Sequence, residues 1–349
     1  MRGKDRVFVI FVLMLYLALF GPLKAFGCSN GSLKANETMV EKQVKRYAVL
    51  FPMALPFLFI INAQRGIVAY PGFGVKSIPY FSGNLILKKE PDFMKRTVDI
   101  GYPMEPNMEE IVKLHPDLVV DSPFAKLTNK RLKELGIQVI TFSGSFGDVD
   151  KLLNGVLKLG KYTGHLHSAK EFVDYYRNIL KIVIARLRKS KKHPKILFLS
   201  FEGPGGNRLT AGGRFDTLVN DLIEKAGCIS VSKNIKGMFG MISLENILKW
   251  NPDFIILGRG GNPKEIYENR LLKSVEAVKE KRVFKVPTDG KKYSNWFAPE
   301  KSCLGLLWLA KVTHPNLFKN VNLWQYAEHY YESFWGLSIK KIKIEGYIP

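Results

Sequence analysis

The pattern of apolar and polar positions repeats once along this chain. Asn107–Val120 reads NMEEIVKLHPDLVV, and Ser243–Ile256, 136 positions later, reads SLENILKWNPDFII. Five of fourteen positions are identical (Glu109/Glu245, Ile111/Ile247, Lys113/Lys249, Pro116/Pro252, Asp117/Asp253), and most others exchange one apolar residue for another. Solenoid units recur every ~20–50 residues, so one recurrence at this distance predicts two similar lobes instead. In each copy an N-cap residue, Asn107 or Ser243, precedes apolar positions at helical spacing. Glu110 stands where a capping box with Asn107 places it; the second copy has Asn246 there. Pro116 and Pro252 stop the helices, because the residue before a proline avoids helical geometry. The all-apolar runs that follow predict strands buried on both faces of a parallel sheet.

The rest of the pattern alternates in the same way. Tyr47–Pro52 and Gly66–Tyr70 read as strands, Leu127–Leu135 as a helix ended by Gly136, and Gln138–Phe142 as a strand. Gly164 closes a first lobe. From His165 to about Ser190 there is no glycine or proline, which predicts a helix about 39 Å long at 1.5 Å per residue. Alternation then restarts with a Lys195–Phe201 strand, a Phe215–Ala226 helix and the second copy of the repeat. A Pro263–Glu280 helix, an Arg282–Val286 strand, and closing helices at Pro299–Lys311 and Leu323–Trp335 complete the chain. The fold class is therefore α/β with mostly parallel sheets. Its predicted parts are a lobe at 46–164, a joining helix at 165–192 and a lobe with closing helices at 193–349.

The first residues stand apart. Arg2, Lys4 and Arg6 precede an apolar run from Val7 to Phe20, and Ala25-Phe26-Gly27-Cys28 follows. Residues 1–27 thus read as a secretory signal peptide. The run is short for a span of about 20 residues, although an uncleaved anchor is the other reading. Cys28 after Gly27 resembles a bacterial lipoprotein box, with Phe26 bulkier than usual, and residues 28–45 read as a flexible tether. Cys228 and Cys303 remain, too few for a disulfide scaffold.

Net charge is +22 over 349 residues. The lysines are scattered (Lys126, Lys130, Lys133; Lys181, Lys189, Lys191, Lys192) without a nucleic-acid motif, so they read as solvated surface. No P-loop or H-E-x-x-H pattern occurs, and GPGGNR and GRGGNP lack the dinucleotide fingerprint. An enzyme using the interlobe cleft is the weakest reading.

Taken in order, NMEEIVKLHPDLVV, RLKELGIQVI, LGKYTGHLHSAKEF, DTLVNDLIEKAGC, SLENILKWNPDFII and LLWLAKVTHPNLF resemble the substrate-binding proteins of bacterial ABC importers for ferric siderophores, haem and vitamin B12. The resemblance covers about residues 46–335. It implies two Rossmann-like lobes joined by one long rigid helix, a monomer, and a ligand carried between the lobes with no resident cofactor. It also implies that Glu109 and Glu245 dock onto a permease dimer with its ATPase. Cys228 departs from the family's usual second glycine in an A-G-G turn.

Ligands of open α/β sheets bind beyond the carboxyl ends of strands. That rule selects the loops Tyr70–Gly74, Ser122–Phe124, Ser143–Phe146, Glu202–Arg208, Gly258–Asn262 and Thr288–Trp296. Arg208 and Arg259, in glycine-rich loops, suit an oxyanion or carboxylate. Tyr70, Phe73, Tyr293 and Trp296 are candidate aromatic walls. Cationic loops favour a ferric siderophore-type chelate; cobalamin, haem, a nickel chelate and molybdate or tungstate are the alternatives.

Overall fold

The computed structural model describes residues 45–71, 83–103, 105–144, 146–202, 208–212, 217–235, 239–289, 295–346 and 349. The expected signal peptide, nearly all of the tether, and Cys28, Phe73 and Tyr293 lie outside them. The first lobe contains β1 (Tyr47–Val49), β2 (Ile67–Tyr70), β3 (Val98–Asp99), a small hairpin of β4 (Gly101–Tyr102) and β5 (Glu105–Pro106), β6 (Leu118–Asp121) and β7 (Gln138–Thr141). Its main sheet has the order β3-β2-β1-β6-β7, and every pairing in it is parallel. The second lobe holds β8 (Lys195–Glu202), β9 (Arg208–Gly212), β10 (Ile229–Ser230), β11 (Phe239–Met241), β12 (Phe254–Leu257) and β13 (Val283–Lys285). There the order is β11-β9-β8-β12-β13. One edge of β8 is shared: β10 pairs in parallel with its first residues, and β9 pairs antiparallel with Leu199–Glu202.

Strand periodicity explains how the layers assemble. Ala48, Leu50 and Val119 point to one face of the first sheet, where they meet Ile111 of the repeat helix and Leu132. Leu197, Leu199, Ile255 and Leu257 do the same in the second sheet, against Ile247 of the other repeat helix. The alternate residues (Tyr47, Val49, Leu118 and Val120; Ile196, Phe198, Phe254 and Ile256) all enter one continuous core. The Leu166–Leu187 helix runs through that core with Phe172, Val173, Tyr176, Ile179 and Val183 buried along it. Each such side chain removed from water stabilises the fold by roughly 1.5–3 kcal/mol.

The Leu323–Trp335 helix, near the end of the chain, packs back onto the first lobe. Trp335 stacks on Phe59 at 6.4 Å, and Lys89 Nζ donates to the carbonyls of Phe59 at 2.7 Å and Phe334 at 2.9 Å. The fully buried Trp308 in the Ser302–Thr313 helix packs edge-on to Phe297, which in turn meets Phe198 of β8.

Both copies of the repeat end identically. His115 (φ 45) and Asn251 (φ 41) take left-handed backbone before Pro116 and Pro252. Each following aspartate then clamps the start of the lobe's central strand. Asp117 Oδ2 accepts from the Lys45 and Arg46 amides at 3.1 Å each, and Asp253 Oδ2 accepts from the Lys195 amide at 2.7 Å. The aspartate amides donate back, to Arg46 O at 2.8 Å and Lys195 O at 2.9 Å. These reciprocal bonds fix the register of β6 on β1 and of β12 on β8.

Several expectations need correction. The reciprocal capping box forms in the second copy, between Ser243 and Asn246, and not in the first. The Asn107 amide already donates to Ile100 O at 2.9 Å, so Glu110 turns instead to Lys113 at 3.1 Å. The continuous 263–280 helix is broken into Pro263–Glu268, a 3₁₀ turn at Arg270–Leu272 and Glu276–Lys279. Asn269 ends the first piece and caps the turn, with its side chain accepting from the Leu271 amide. The first strand stops at Val49, because the Leu50 and Phe51 amides both turn to Val120 O. Cys228 fits its turn because Gly227 alone takes positive φ (76°); Cys228 and Cys303 are both free and buried.

Asp253→Ala and Asp117→Ala should each destabilise the fold by about 1–3 kcal/mol in denaturant titration, since each leaves strand-entry amides unpaired. Asp253 should cost more, its bond being shorter and partly buried. Losses no larger than that of a surface control such as Asp92→Ala would contradict the clamp.

Candidate functional site

Parallel strands bring their carboxyl ends to one edge, and the loops there carry aromatic residues in the first lobe. Phe51 follows β1, Phe124 follows β6 and Phe146 follows β7. The Phe51 and Phe146 rings stack at 6.4 Å, and Phe124 meets Phe146 edge-on at 5.0 Å. Phe51 is buried, whereas Phe124, Phe146 and Met53 are half-buried. Gly144 (φ 55) lets the β7 loop approach: a Cβ there would lie 2.9 Å from Met53 Sδ and 3.2 Å from the Phe51 ring. The sequence reading selected the two loops holding Phe124 and Phe146. It missed Phe51 and Met53 by running β1 on to Pro52. Pro52, which opens a 3₁₀ turn, was the available signal.

Asp121, the last residue of β6, lies at the same edge. Its Oδ1 accepts from the Ser122 amide at 2.6 Å, while Oδ2 is buried without a hydrogen-bond partner among the described residues. Burial pushes this carboxyl up to about 7, against the smaller opposing effect of the Ser122 amide. Asn129 ties the loop down by donating to Ser122 O at 2.9 Å. A depression of ≈ 540 Å³ beside Asn129, lined also by Pro123, Lys126, Lys130, Lys133 and Thr141, includes none of the predicted ligand residues.

The second lobe's edge is more closed than expected. Arg208 does not sit in an open loop; it begins β9 and pairs in register with Glu202. Arg259 Nε lies 3.4 Å from Glu202 Oε1, with both side chains only 16% exposed. Its glycine-rich loop packs on Phe201: the Phe201 amide donates to Arg259 O at 2.7 Å, and a Cβ on Gly260 would come within 2.9 Å of Phe201 O. Asn295 Nδ2 closes the loop from the other side by donating to Gly258 O at 2.7 Å.

Two of the predicted aromatic walls are core residues. Trp296 is fully buried, and its Nε1 donates to Tyr331 Oη at 3.1 Å. Tyr331 in turn donates to Asp289, which also holds the buried Lys301 ammonium at 2.9 Å. Tyr70, the last residue of β2, alternates with Ala69 and so faces the continuous core, 5.3 Å from Phe93. Sequence spacing placed both at strand ends but did not determine which way they point.

Glu109 and Glu245 are the second residues of their helices and both are exposed. The first helix follows β3 through the β4–β5 hairpin. The second follows β11, which runs parallel to β8 because both pair antiparallel with β9. Each helix therefore begins on the strand-end side of its sheet. The Ser243 hydroxyl and the local backbone hold the Glu245 carboxyl below the usual range.

Comparison with known proteins identifies the family. Residues 78–289 match the family model described as "Periplasmic binding protein", and the chain belongs to that family, the substrate-binding components of ABC importers. It is 30% identical over 208 residues to the high-affinity heme uptake system protein IsdE of Staphylococcus aureus, covering 56% of this chain and 68% of that one. Its fold is similar to a periplasmic solute binding protein from Veillonella parvula (TM-score 0.69, 24% identity, 85% and 89% of the two chains). The molybdate-bound protein MolA of Haemophilus influenzae is also similar in fold (TM-score 0.69, 22% identity, 88% and 96%).

Asp121→Asn should change the pH dependence of stability. A carboxyl raised from 3.8 to about 7 takes up a proton on folding, so the native chain should lose stability as pH rises from about 4 to 7. The asparagine variant should flatten that fall and be the more stable protein at pH 8, by on the order of 2–4 kcal/mol. Parallel curves for the two proteins in thermal melts across this range would refute the assignment.

Proposed function

We propose that this exported binding protein captures an iron complex at the strand ends of its two lobes and delivers it to an ABC permease dimer. The ligand of the main reading is a ferric siderophore-type chelate with aromatic, catecholate-like arms. The observation that carries it is the Phe51–Phe124–Phe146 edge, two of whose rings remain partly open. Flat conjugated faces stack on such rings, each pair contributing about 0.5–1.5 kcal/mol beyond burial. Haem is the second reading, favoured by the same edge and by the relative named for heme uptake. A bare oxyanion needs donors directed at it, and the Arg259–Glu202 contact offsets the one charge best placed to supply them.

Delivery uses the repeat. Glu109 and Glu245 present one carboxylate from each lobe on the strand-end side, where each can enter a cationic pocket of a permease dimer. The reading extends to the chain's start, where Cys28 is the proposed lipid attachment point and the +22 chain works outside the cytoplasm.

Titrating haemin, a ferric tricatecholate, ferric citrate and molybdate against the chain, followed by intrinsic fluorescence, tests the ligand class. The conjugated iron complexes should bind most tightly, and Phe124→Ala should weaken them about tenfold, or ~1.4 kcal/mol. Tightest binding of molybdate, or unchanged affinity in the variant, would overturn the reading. Separately, Glu109→Ala with Glu245→Ala should abolish uptake while leaving ligand affinity intact. Normal transport by that double variant would end the docking assignment.

A further inference from the structure

The second half of the long helix and the segment leaving it carry an unbalanced charge. Between Asp174 and Glu202 there are eight lysines and arginines and no acidic residue. Arg186 and Lys195 are committed to the fold: Arg186 Nη1 donates to Leu317 O at 2.9 Å, and Lys195 Nζ to Trp250 O at 3.2 Å. The other six, Arg177, Lys181, Arg188, Lys189, Lys191 and Lys192, are exposed.

Elsewhere, many surface lysines have carboxylates beside them. Lys95 meets Asp92, Lys113 meets Glu110, Lys130 meets Glu134, Lys225 meets Asp221, Lys233 meets Glu224 and Lys264 meets Glu268, all within 3.7 Å. None of the six cations on this patch forms an ion pair among the described residues. The helix dipole favours bases in the last turn, which accounts for Arg188 and Lys189 but not for Arg177 or Lys181 a turn or more earlier, nor for Lys191 and Lys192 beyond its end. Arg177, Lys181, Ile184 and Arg188 fall at helical spacing on one stripe, and Ile184 is 46% exposed among them. The stripe from Arg177 to Arg188 is about 16 Å long, enough to meet several lipid headgroups.

We infer that this patch is a membrane-contact surface, through which the chain rests on an anionic phospholipid bilayer. Long, exposed Lys and Arg stems without a built pocket suit a field of headgroups better than one bound ion, and a half-exposed isoleucine suits the headgroup boundary. The patch leads into the start of β8, so it lies at the opposite edge of the second sheet from the first turn of the helix, which bears Glu245. Resting on the bilayer through the patch therefore leaves the strand-end edge uncovered, and contact by the patch and docking through Glu245 are alternative orientations. The inference rests on the exported location that family membership implies, but not on the ligand or on docking.

Flotation of residues 29–349, which omit the expected signal peptide and Cys28 and hold the whole described fold, with vesicles tests it. Equal-part phosphatidylcholine and phosphatidylglycerol vesicles should bind the chain, pure phosphatidylcholine should not, and high salt should release it. Arg188→Glu/Lys189→Glu/Lys191→Glu/Lys192→Glu should lower partition at least ~50-fold, each cation near the surface contributing up to about fivefold. A control with the same charge change on other exposed lysines, Lys126→Glu/Lys133→Glu/Lys273→Glu/Lys279→Glu, should lower it less than ~5-fold. Both variants should keep the wild-type melting temperature; if the patch variant melts early, Lys191→Gln/Lys192→Gln replaces it and should still lose about tenfold. Equal losses in patch and control variants would mean that diffuse charge binds the vesicles and would overturn the inference. Tighter binding, per phosphate, to soluble polyphosphate than to vesicles would overturn it too. Uptake and ligand affinity are measured separately, so this result and that of the docking variant are distinguishable.

Discussion

The two lobes depend on one shared core. In each sheet, one set of alternate residues closes over a repeat helix to form a small outer cluster, and the other set enters a single apolar mass with the Leu166–Leu187 helix inside it. Phe172, Tyr176 and Ile179 of that helix belong to the same mass as Val49 of the first sheet and Ile196 of the second. The Leu323–Trp335 helix adds a second connection by stacking Trp335 on Phe59. Close-packed interiors resist continuous deformation. A hinge through this region would have to open apolar surface, so a rigid frame follows from the packing itself.

The repeat acts on that frame at two levels. Its buried residues (Ile111 and Ile247) hold each helix to its sheet, and its aspartates hold the neighbouring central strand in register. The glutamates do neither. They are exposed at the second helical position, where the helix dipole favours a carboxylate. The five identities therefore divide into three structural positions (Ile, Pro and Asp) and two exposed ones, Glu109/Glu245 and Lys113/Lys249.

Much of the architecture was legible because parallel strands and long helices write strong periodic patterns. The boundaries of the Leu166–Leu187 helix and of β6, β7, β8 and β12 lie within a few residues of expectation. The site was less legible, for identifiable reasons. Trp296 and Tyr70 stand at strand ends, as any cleft residue would, but side-chain direction at an end depends on which face is core, and there the core took both. Arg259 looked available until the fold brought Glu202, 57 positions earlier, within 3.4 Å. Phe51 was hidden because an apolar run crossing a proline reads as strand up to the proline, whereas the backbone turned two residues sooner. Charge was legible in amount but not in arrangement: which lysines have carboxylates beside them is a fact of packing, not of composition.

The balance of charge and aromatic surface orders the chain by edge. At the strand ends of the first sheet, aromatic rings and the buried carboxyl of Asp121 lie beside the ends of β1, β6 and β7. At the corresponding end of the second, arginine and glutamate offset each other. Six exposed cations without an ion pair among the described residues lie along the second half of the long helix and the segment leading to β8, towards the far edge. In the proposed reading, the aromatic edge selects its ligand by shape and conjugation, while the six cations act on a separate surface.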